Sequence, residues 1–241
     1  CISPYALPGY APAPLFVNAD GTLRQKAYTA AYPLAIVDGK ATSRSGVFPD
    51  ACSLDAAMTS ARALGEQYTV MTMAEWYTEW LYMVVEFATR DVQRVMKGAD
   101  SLPYTGSITA VLSETGVTRV VLPAASANQF AVGQTIGIGS ALGGTQTAAN
   151  RVVTAITDYD ADNRALSFDG EAVDIAVGNI VWSSAYINGA CDGVLSTSGS
   201  PVSNTDGRHT CVYRGKESPY GNAFEWVSDL LVTRSGAGTA E

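Results

Sequence analysis

Residues 213–227 constrain the fold of this chain more than any other stretch, because residue types with narrow physical uses crowd together there. Arg214 and Glu217 carry opposite charges at a spacing that lets them pair. Pro219 and the adjacent Gly221 and Asn222 impose a tight turn, and Glu225 with Trp226 sets a carboxylate beside a large ring. Gly221 supplies a backbone conformation closed to most residues, and Asn222 can bond its own backbone. The pattern reads as a turn that delivers a strand into a core, with Phe224 and Trp226 on one face and Ala223, Glu225 and Val227 on the other. Charge pairs beside aromatic rings commonly fix a fold, so the first reading of this stretch is scaffolding without a ligand role.

The chain upstream supplies helices. Ser53 or Asp55 can cap a helix that runs to Leu64 and stops at Gly65. Thr72 and Glu75 form a capping box that opens a long helix expected to end near Gly98. Trp76, Trp80, Val84, Phe87, Ala88, Val92 and Val95 recur at steps of three and four and read as its core stripe, with Glu86, Arg90, Asp91 and Arg94 on the wetter face. Before these helices, Pro4, Pro8, Pro12 and Pro14 describe an extended arm, fit either to dock on a neighbouring subunit or to pack on its own domain. Ala35, Ile36 and Val37 before Asp38 and Gly39 read as a short strand ending in a turn.

From about Ser107 the vocabulary changes to short β-branched runs at 108–112, 117–122, 134–138, 151–157, 165–168 and 179–182, separated by Gly, Asn and Asp clusters. Strands at this spacing suggest a small barrel or sandwich. Within them Asp158, Asp160 and Asp162, with Asp169 further on, imitate a calcium loop. Asn stands where that loop needs Gly, Asp replaces the bidentate Glu, and no helix flanks it, so a hairpin turn between two strands is the better reading.

The pattern Arg214-Gly-x-Glu217-x-Pro-x-Gly221-Asn222-x-x-Glu225-Trp226-Val resembles the core motif of the C-type lectin-like fold, as found in formylglycine-generating (sulfatase-modifying) enzymes, phage structural proteins and the variable proteins of diversity-generating retroelements. The likeness is greatest to the phage proteins. Leu54, Asp55, Ala56, Ala57, Ala61, Leu64, Gly65 and Tyr68, followed by Met71, Thr72, Ala74, Glu75 and Trp76, look like the helix, glycine stop and second helix start of the same superfamily. The resemblance implies an α+β protein in which a C-type lectin-like fold is interrupted by an inserted all-β barrel or sandwich. Residues 1–105 would hold the arm and first half of the lectin-like domain, 106–186 the insertion, and 187–241 the continuation, apparently without its last strands. A lectin-like sheet without those strands exposes an edge, which a neighbouring chain or a separate piece of the polypeptide is then expected to complete.

Composition excludes several functions. Hydrophobic residues make up 47% and charged residues 16%, enough to build a core. A formal net charge of -8 and the lack of a basic stripe argue against nucleic acid as a partner. No apolar run approaches the roughly 20 residues of a membrane span. Cys1, Cys52, Cys191 and Cys211 lack C-x-x-C spacing and His209 is the single histidine, so a structural zinc site is not expected. Cys191 and Cys211 flank a polar loop; bridging them would contribute about 3 kcal/mol by loop closure, and free buried thiols are the alternative. Cys1 at the start fits a lipidated cysteine of a mature bacterial lipoprotein or a trimmed terminus.

No enzyme is expected. The formylglycine-generating branch oxidises its substrate with a cysteine pair downstream of the core, and no cysteine follows Cys211. His209 beside Asp206 and a loop serine makes a poor triad. Calcium-dependent sugar binding is likewise unsupported, since Glu217-Ser218-Pro219 has the wrong order for the lectin Glu-Pro-Asn segment and no Trp-Asn-Asp strand exists. The resemblance instead implies a virion structural protein of a tailed phage or prophage, a head or tail decoration or fibre-type adhesin attaching to host. It would need no cofactor. Its expected partners are other virion proteins and a host surface glycan or protein, with a homo-oligomer, by analogy a trimer, as the assembly. The alternative is a retroelement-diversified or lipid-anchored bacterial surface protein that binds a ligand. The polar loop 196–206 is a natural place for binding, although no ligand-binding residue can be named.

Overall fold

The computed structural model describes residues 7–18, 20–99, 103–194, 210–222 and 225–229. It is an α+β molecule in which sheet predominates and the two longer helices both fall within the first hundred residues. The first helix, α1 (Leu54–Arg62), is capped by Ser53, whose hydroxyl accepts from the Ala56 amide at 3.2 Å. The second, α2 (Met73–Phe87), opens on Thr72, whose hydroxyl accepts from the Glu75 amide at 3.0 Å.

The second helix is shorter than its periodicity predicts. It ends at Phe87, with Ala88 in the left-handed region at φ 51°, and a single 3-10 turn follows at Val92–Arg94. The Thr89 hydroxyl accepts the Asp91 amide at 3.1 Å, a local bond that competes with helical continuation. The apolar spacing survives this break because Val92 and Met96 still pack with Met83, Cys211 and Tyr213, flanked by Trp80, Val84 and Phe87. Val95, the last member of the expected stripe, is exposed. Of the proline arm, the 3-10 turn at Pro14–Phe16 lies against α2, residues 7–12 are exposed, and Pro4 lies outside the described residues. As expected, β1 (Ala35–Val37) turns through Asp38 and Gly39, at φ 51° and 73°, into β2 (Lys40–Thr42).

The β-rich part runs β3 (Glu114–Val117), β4 (Arg119–Pro123), a helical turn α3 (Ala124–Ala127), β5 (Thr135–Gly139), β6 (Gln146–Asp158), β7 (Asn163–Phe168), β8 (Val173–Ile175) and β9 (Ile180–Ser183). Five strands form one antiparallel sheet in the order β4-β7-β6-β5-β9, while β3 and β8 pair separately. Residues 108–111 close this sheet on itself. Val181 donates to the Ile108 carbonyl and Ala110 to that of Asn179, while Val111 donates to Val121 on β4 at the other edge. The long β6 makes this possible, since its first half pairs with β5 and its second with β7 across register shifts that bend the strand. Inside lie Leu122, Ile136, Ile138, Leu166 and Val181, all fully buried, each burial contributing about 2 kcal/mol.

Most of the expected strands are present with altered limits. The run 117–122 divides at Thr118 between β3 and β4, and 108–112 pairs through individual bonds rather than as a continuous ladder. The three-residue β8 falls in the largely apolar stretch 172–177, which is not among the expected strands. The first and last parts of the β region meet, with the Ser183 amide donating to the Pro103 carbonyl at 2.7 Å.

Candidate functional site

The motif at 212–222 is a two-residue hairpin followed by a turn. Its strands are β10 (Val212–Tyr213) and β11 (Lys216–Glu217), with Arg214 and Gly215 at φ 49° and 79° between them. Alternation along so short a hairpin sends the cross-strand pair Tyr213 and Lys216 toward α2, and the pair Val212 and Glu217 to the opposite side.

On α2 the receiving carboxylates are Glu79 and Glu86, seven residues apart and therefore on one helical face. The Tyr213 hydroxyl donates to Glu86 Oε2 at 2.8 Å, and Lys216 Nζ to Glu79 Oε2 at 2.7 Å. Arg214 adds Nε and Nη2 bonds to the same Glu86 oxygen at 3.1 and 3.0 Å, with its guanidinium over the Tyr82 and Tyr213 rings. The Tyr213 bond, followed by Arg214, holds the Glu86 carboxyl below its ordinary range, while burial, then the bond to Glu86, raises the Tyr213 phenol. Glu79 moves the other way, because burial outweighs the Lys216 ammonium.

The expected pair between Arg214 and Glu217 does not form. Glu217 is buried on the far side of the hairpin, where its Oε2 accepts the Gly189 and Cys191 amides at 2.9 and 3.2 Å. Backbone amides of residues 189–191 thus hold one oxygen of the carboxylate, which fastens them to the hairpin, while Oε1 is buried without a hydrogen-bond partner. Burial still raises the Glu217 pKa against those bonds.

The following turn is stapled to residues 92–99. Gly221, at φ 76°, and Asn222, at φ 67°, lie against Ala99, whose carbonyl accepts the Asn222 amide; a Cβ on Gly221 would overlap that carbonyl oxygen. Gly98 makes the reciprocal approach, a Cβ there colliding with the Tyr220 carbonyl. The Tyr220 hydroxyl donates to the Met96 carbonyl, and Asn222 Oδ1 accepts the Tyr186 amide at 2.8 Å. Gly98 thus serves close backbone approach rather than a helix end.

Glu225 and Trp226 depart from expectation. Residues 225–227 form no strand, and Trp226 is 55% exposed, its indole donating to the Cys52 carbonyl at 2.9 Å instead of filling the core. Its expected companion Phe224 lies outside the described residues, as do Cys1, Asp206, His209 and the loop 196–206. Glu225 is exposed as a residue, yet its carboxyl is crowded by protein; burial raises it, Lys216 lowers it, and Glu79 and Glu75 raise it further.

No disulfide joins Cys191 to Cys211: both are free thiols, as is Cys52. Cys191 Sγ faces the Ala31 carbonyl at 3.8 Å, its amide held by Glu217, whereas Cys211 is packed with Met83 and Tyr213. Burial pushes the Cys211 thiol up to about 12. Next to Cys191, Asp192 accepts hydrogen bonds from the hydroxyls of Ser45, at 2.5 Å, and Tyr32, which hold its carboxyl below the ordinary range and make it a weak base.

The acidic hairpin is a turn, as its letters suggested. Asp160 Oδ1 accepts the Asp162 and Asn163 amides at 2.9 Å each, and Asp158 pairs with Arg164 at 3.0 Å. Among the described residues no group of three His, Cys, Asp or Glu side chains is placed to hold a metal ion.

Sequence reasoning missed Glu79 and Asp229. Asp229 accepts the Met73 and Ala74 amides at 2.5 and 3.4 Å and so caps α2 from far along the chain, where no local pattern announces it. Glu86 lies on the exposed face, as the helical stripe predicts, but its partners Tyr213 and Arg214 lie more than a hundred residues away, where no local pattern announces them. Chemically, Tyr213, Arg214 and Lys216 are spent on the α2 carboxylates and Glu217 Oε2, Tyr220 and Asn222 on backbone, which is the behaviour of a scaffold, while Glu217 Oε1 and Ser218 Oγ are buried without a hydrogen-bond partner. Comparison with protein-family models, with curated proteins and with solved structures gives no match.

Proposed function

We propose that this chain is a non-enzymatic virion structural protein of a tailed phage or prophage, a head or tail decoration or fibre-type adhesin that contacts the host surface. One observation carries the reading. Tyr213, Arg214 and Lys216 fasten the hairpin to α2, Tyr220 and the Asn222 amide fasten the following turn to residues 96–99, and Glu217 and Asn222 Oδ1 hold amides of residues 186–191, so the motif serves a frame. That use suits a C-type lectin-like domain whose recognition is left to loops.

The β region supports the same reading. Its ends meet at Pro103 and Ser183 and its sheet closes around its own core, as a barrel inserted within a host domain requires. The division proposed with it is 1–105, 106–186 and 187–241. No helix among the described residues is long and apolar enough to cross a membrane. The partners proposed are other virion proteins and a host glycan or protein, with a homo-oligomer, by analogy a trimer, giving avidity to weak single contacts.

Purified protein added to host cells before infection tests this. Competition with particle adsorption, together with gold-labelled antibody on intact particles, is the expected result. Full adsorption in the presence of saturating protein, with unlabelled particles, would remove the proposal.

A further inference from the structure

Three short segments meet behind the 212–217 hairpin and are bonded pairwise. The Glu217 amide donates to the Ala31 carbonyl at 2.7 Å, and Asn188 Nδ2 donates to the Pro33 carbonyl at 3.0 Å. The Gly189 and Cys191 amides close the triangle by donating to Glu217 Oε2. Where residues 31–33, 188–191 and 217 join, Glu217 and Asn188 are 1% and 2% exposed.

Each of these two side chains has one oxygen left over. Glu217 Oε1 and Asn188 Oδ1 are both buried, and neither has a hydrogen-bond partner. A carboxylate oxygen and a carboxamide oxygen are both acceptors, so they cannot satisfy each other. The next residue, Ser218, adds a buried hydroxyl without a partner on a backbone held in the left-handed region at φ 51°. Orphaned buried groups are rare in native proteins and call for a water, an ion or a chemical role, and backbone strain in the same place points the same way.

Charge decides between water and ion. Among the described residues no cationic side chain pairs with Glu217. Its amide bonds fall on Oε2, and burial raises its pKa against them. A bridging water would donate to both acceptors and leave the buried charge uncompensated. One carboxylate among neutral oxygens balances a single positive charge, whereas a divalent ion would bury an excess of the opposite sign. The Ala31 and Pro33 carbonyls, each with a second lone pair, add neutral oxygens on the segment that both side chains adjoin. We propose that Glu217 Oε1 and Asn188 Oδ1 hold a monovalent metal cation of the sodium or potassium class, which locks residues 31–33 and 188–191 to the hairpin.

Calorimetry of the full chain in sodium or potassium chloride, against choline chloride at equal ionic strength, tests this. The melting temperature should rise with the metal cation and level off. At about ten times the half-saturating concentration the folded-to-unfolded ratio gains about elevenfold, which is about 3–6 °C. Glu217→Gln, which keeps an oxygen for the amides and offers Asn188 a donor, should melt at one temperature in all three salts. If that variant does not fold, crystals of the native chain grown with thallium(I) give a second reading, an anomalous peak between Glu217 Oε1 and Asn188 Oδ1. Equal melting temperatures of the native chain in the three chlorides, an undiminished sodium or potassium response in folded Glu217→Gln, or a site holding water and no thallium would each overturn the proposal.

Discussion

Replacing Gly221 by alanine should destabilise the protein well beyond the cost of a left-handed alanine, and Gly215→Ala measures that baseline. Gly215 sits at φ 79° with nothing within 4 Å of an added Cβ, so its replacement should cost only about 1–2 kcal/mol of backbone strain. Gly221 has nearly the same φ, 76°, but its Cβ would overlap the Ala99 carbonyl oxygen. Backbone cannot yield as a flexible side chain does. The turn must lift from residues 98–99, which endangers the Asn222 bond to Ala99 and the Tyr186 bond to Asn222. At about 1 kcal/mol net for each bond, the two variants should differ by about 2 kcal/mol. In a chain of this length that is a gap of roughly 4–8 °C in the melting transition. Scanning calorimetry of both variants beside the parent supplies the comparison. Equal melting temperatures for Gly215→Ala and Gly221→Ala would refute the claim that the motif glycine is there for close backbone approach.

Other consequences follow from the same contacts. Lys216→Met leaves Glu79 and Glu225 without their cation and should cost on the order of 3 kcal/mol in urea unfolding at pH 8, with part regained at pH 5 as the raised carboxylates protonate. Arg214→Ala, which removes an exposed pairing with Glu86, should cost about 1 kcal/mol or less in the same assay. Cys211, with its thiol raised to about 12 and no exposed surface, should resist alkylation at pH 8 until the protein unfolds, while partly exposed Cys52 is labelled in the native state; peptide mapping distinguishes them. Leu122→Ala opens a cavity inside the closed sheet and should cost about 3 kcal/mol by calorimetry.

What the sequence revealed followed the range of the interactions involved. Caps at Ser53 and Thr72, the Asp38 and Gly39 turn and the Asp160 turn depend on neighbours within a few residues, and all were legible. The end of α2 was not. Val92 and Met96 keep a helical rhythm because they serve the same core after the helix has stopped, so periodicity ran past its cause. Charge pairing within the motif failed for a related reason. Arg214 and Glu217 are close in sequence, but a two-residue hairpin puts them in different environments, and their partners come from residues 86 and 189–191. Size and alternation point Trp226 into a core, which a strand would justify and the observed irregular backbone does not.

The most direct measurement of the proposed function is peptide mapping and intact mass of the protein on density-gradient-purified particles from its native source. The account predicts peptides of this chain, including those of the 212–222 hairpin, at a fixed copy number per particle. Recovery instead from the cell envelope, with a diacylglycerol on Cys1 and none of the chain on particles, would contradict it.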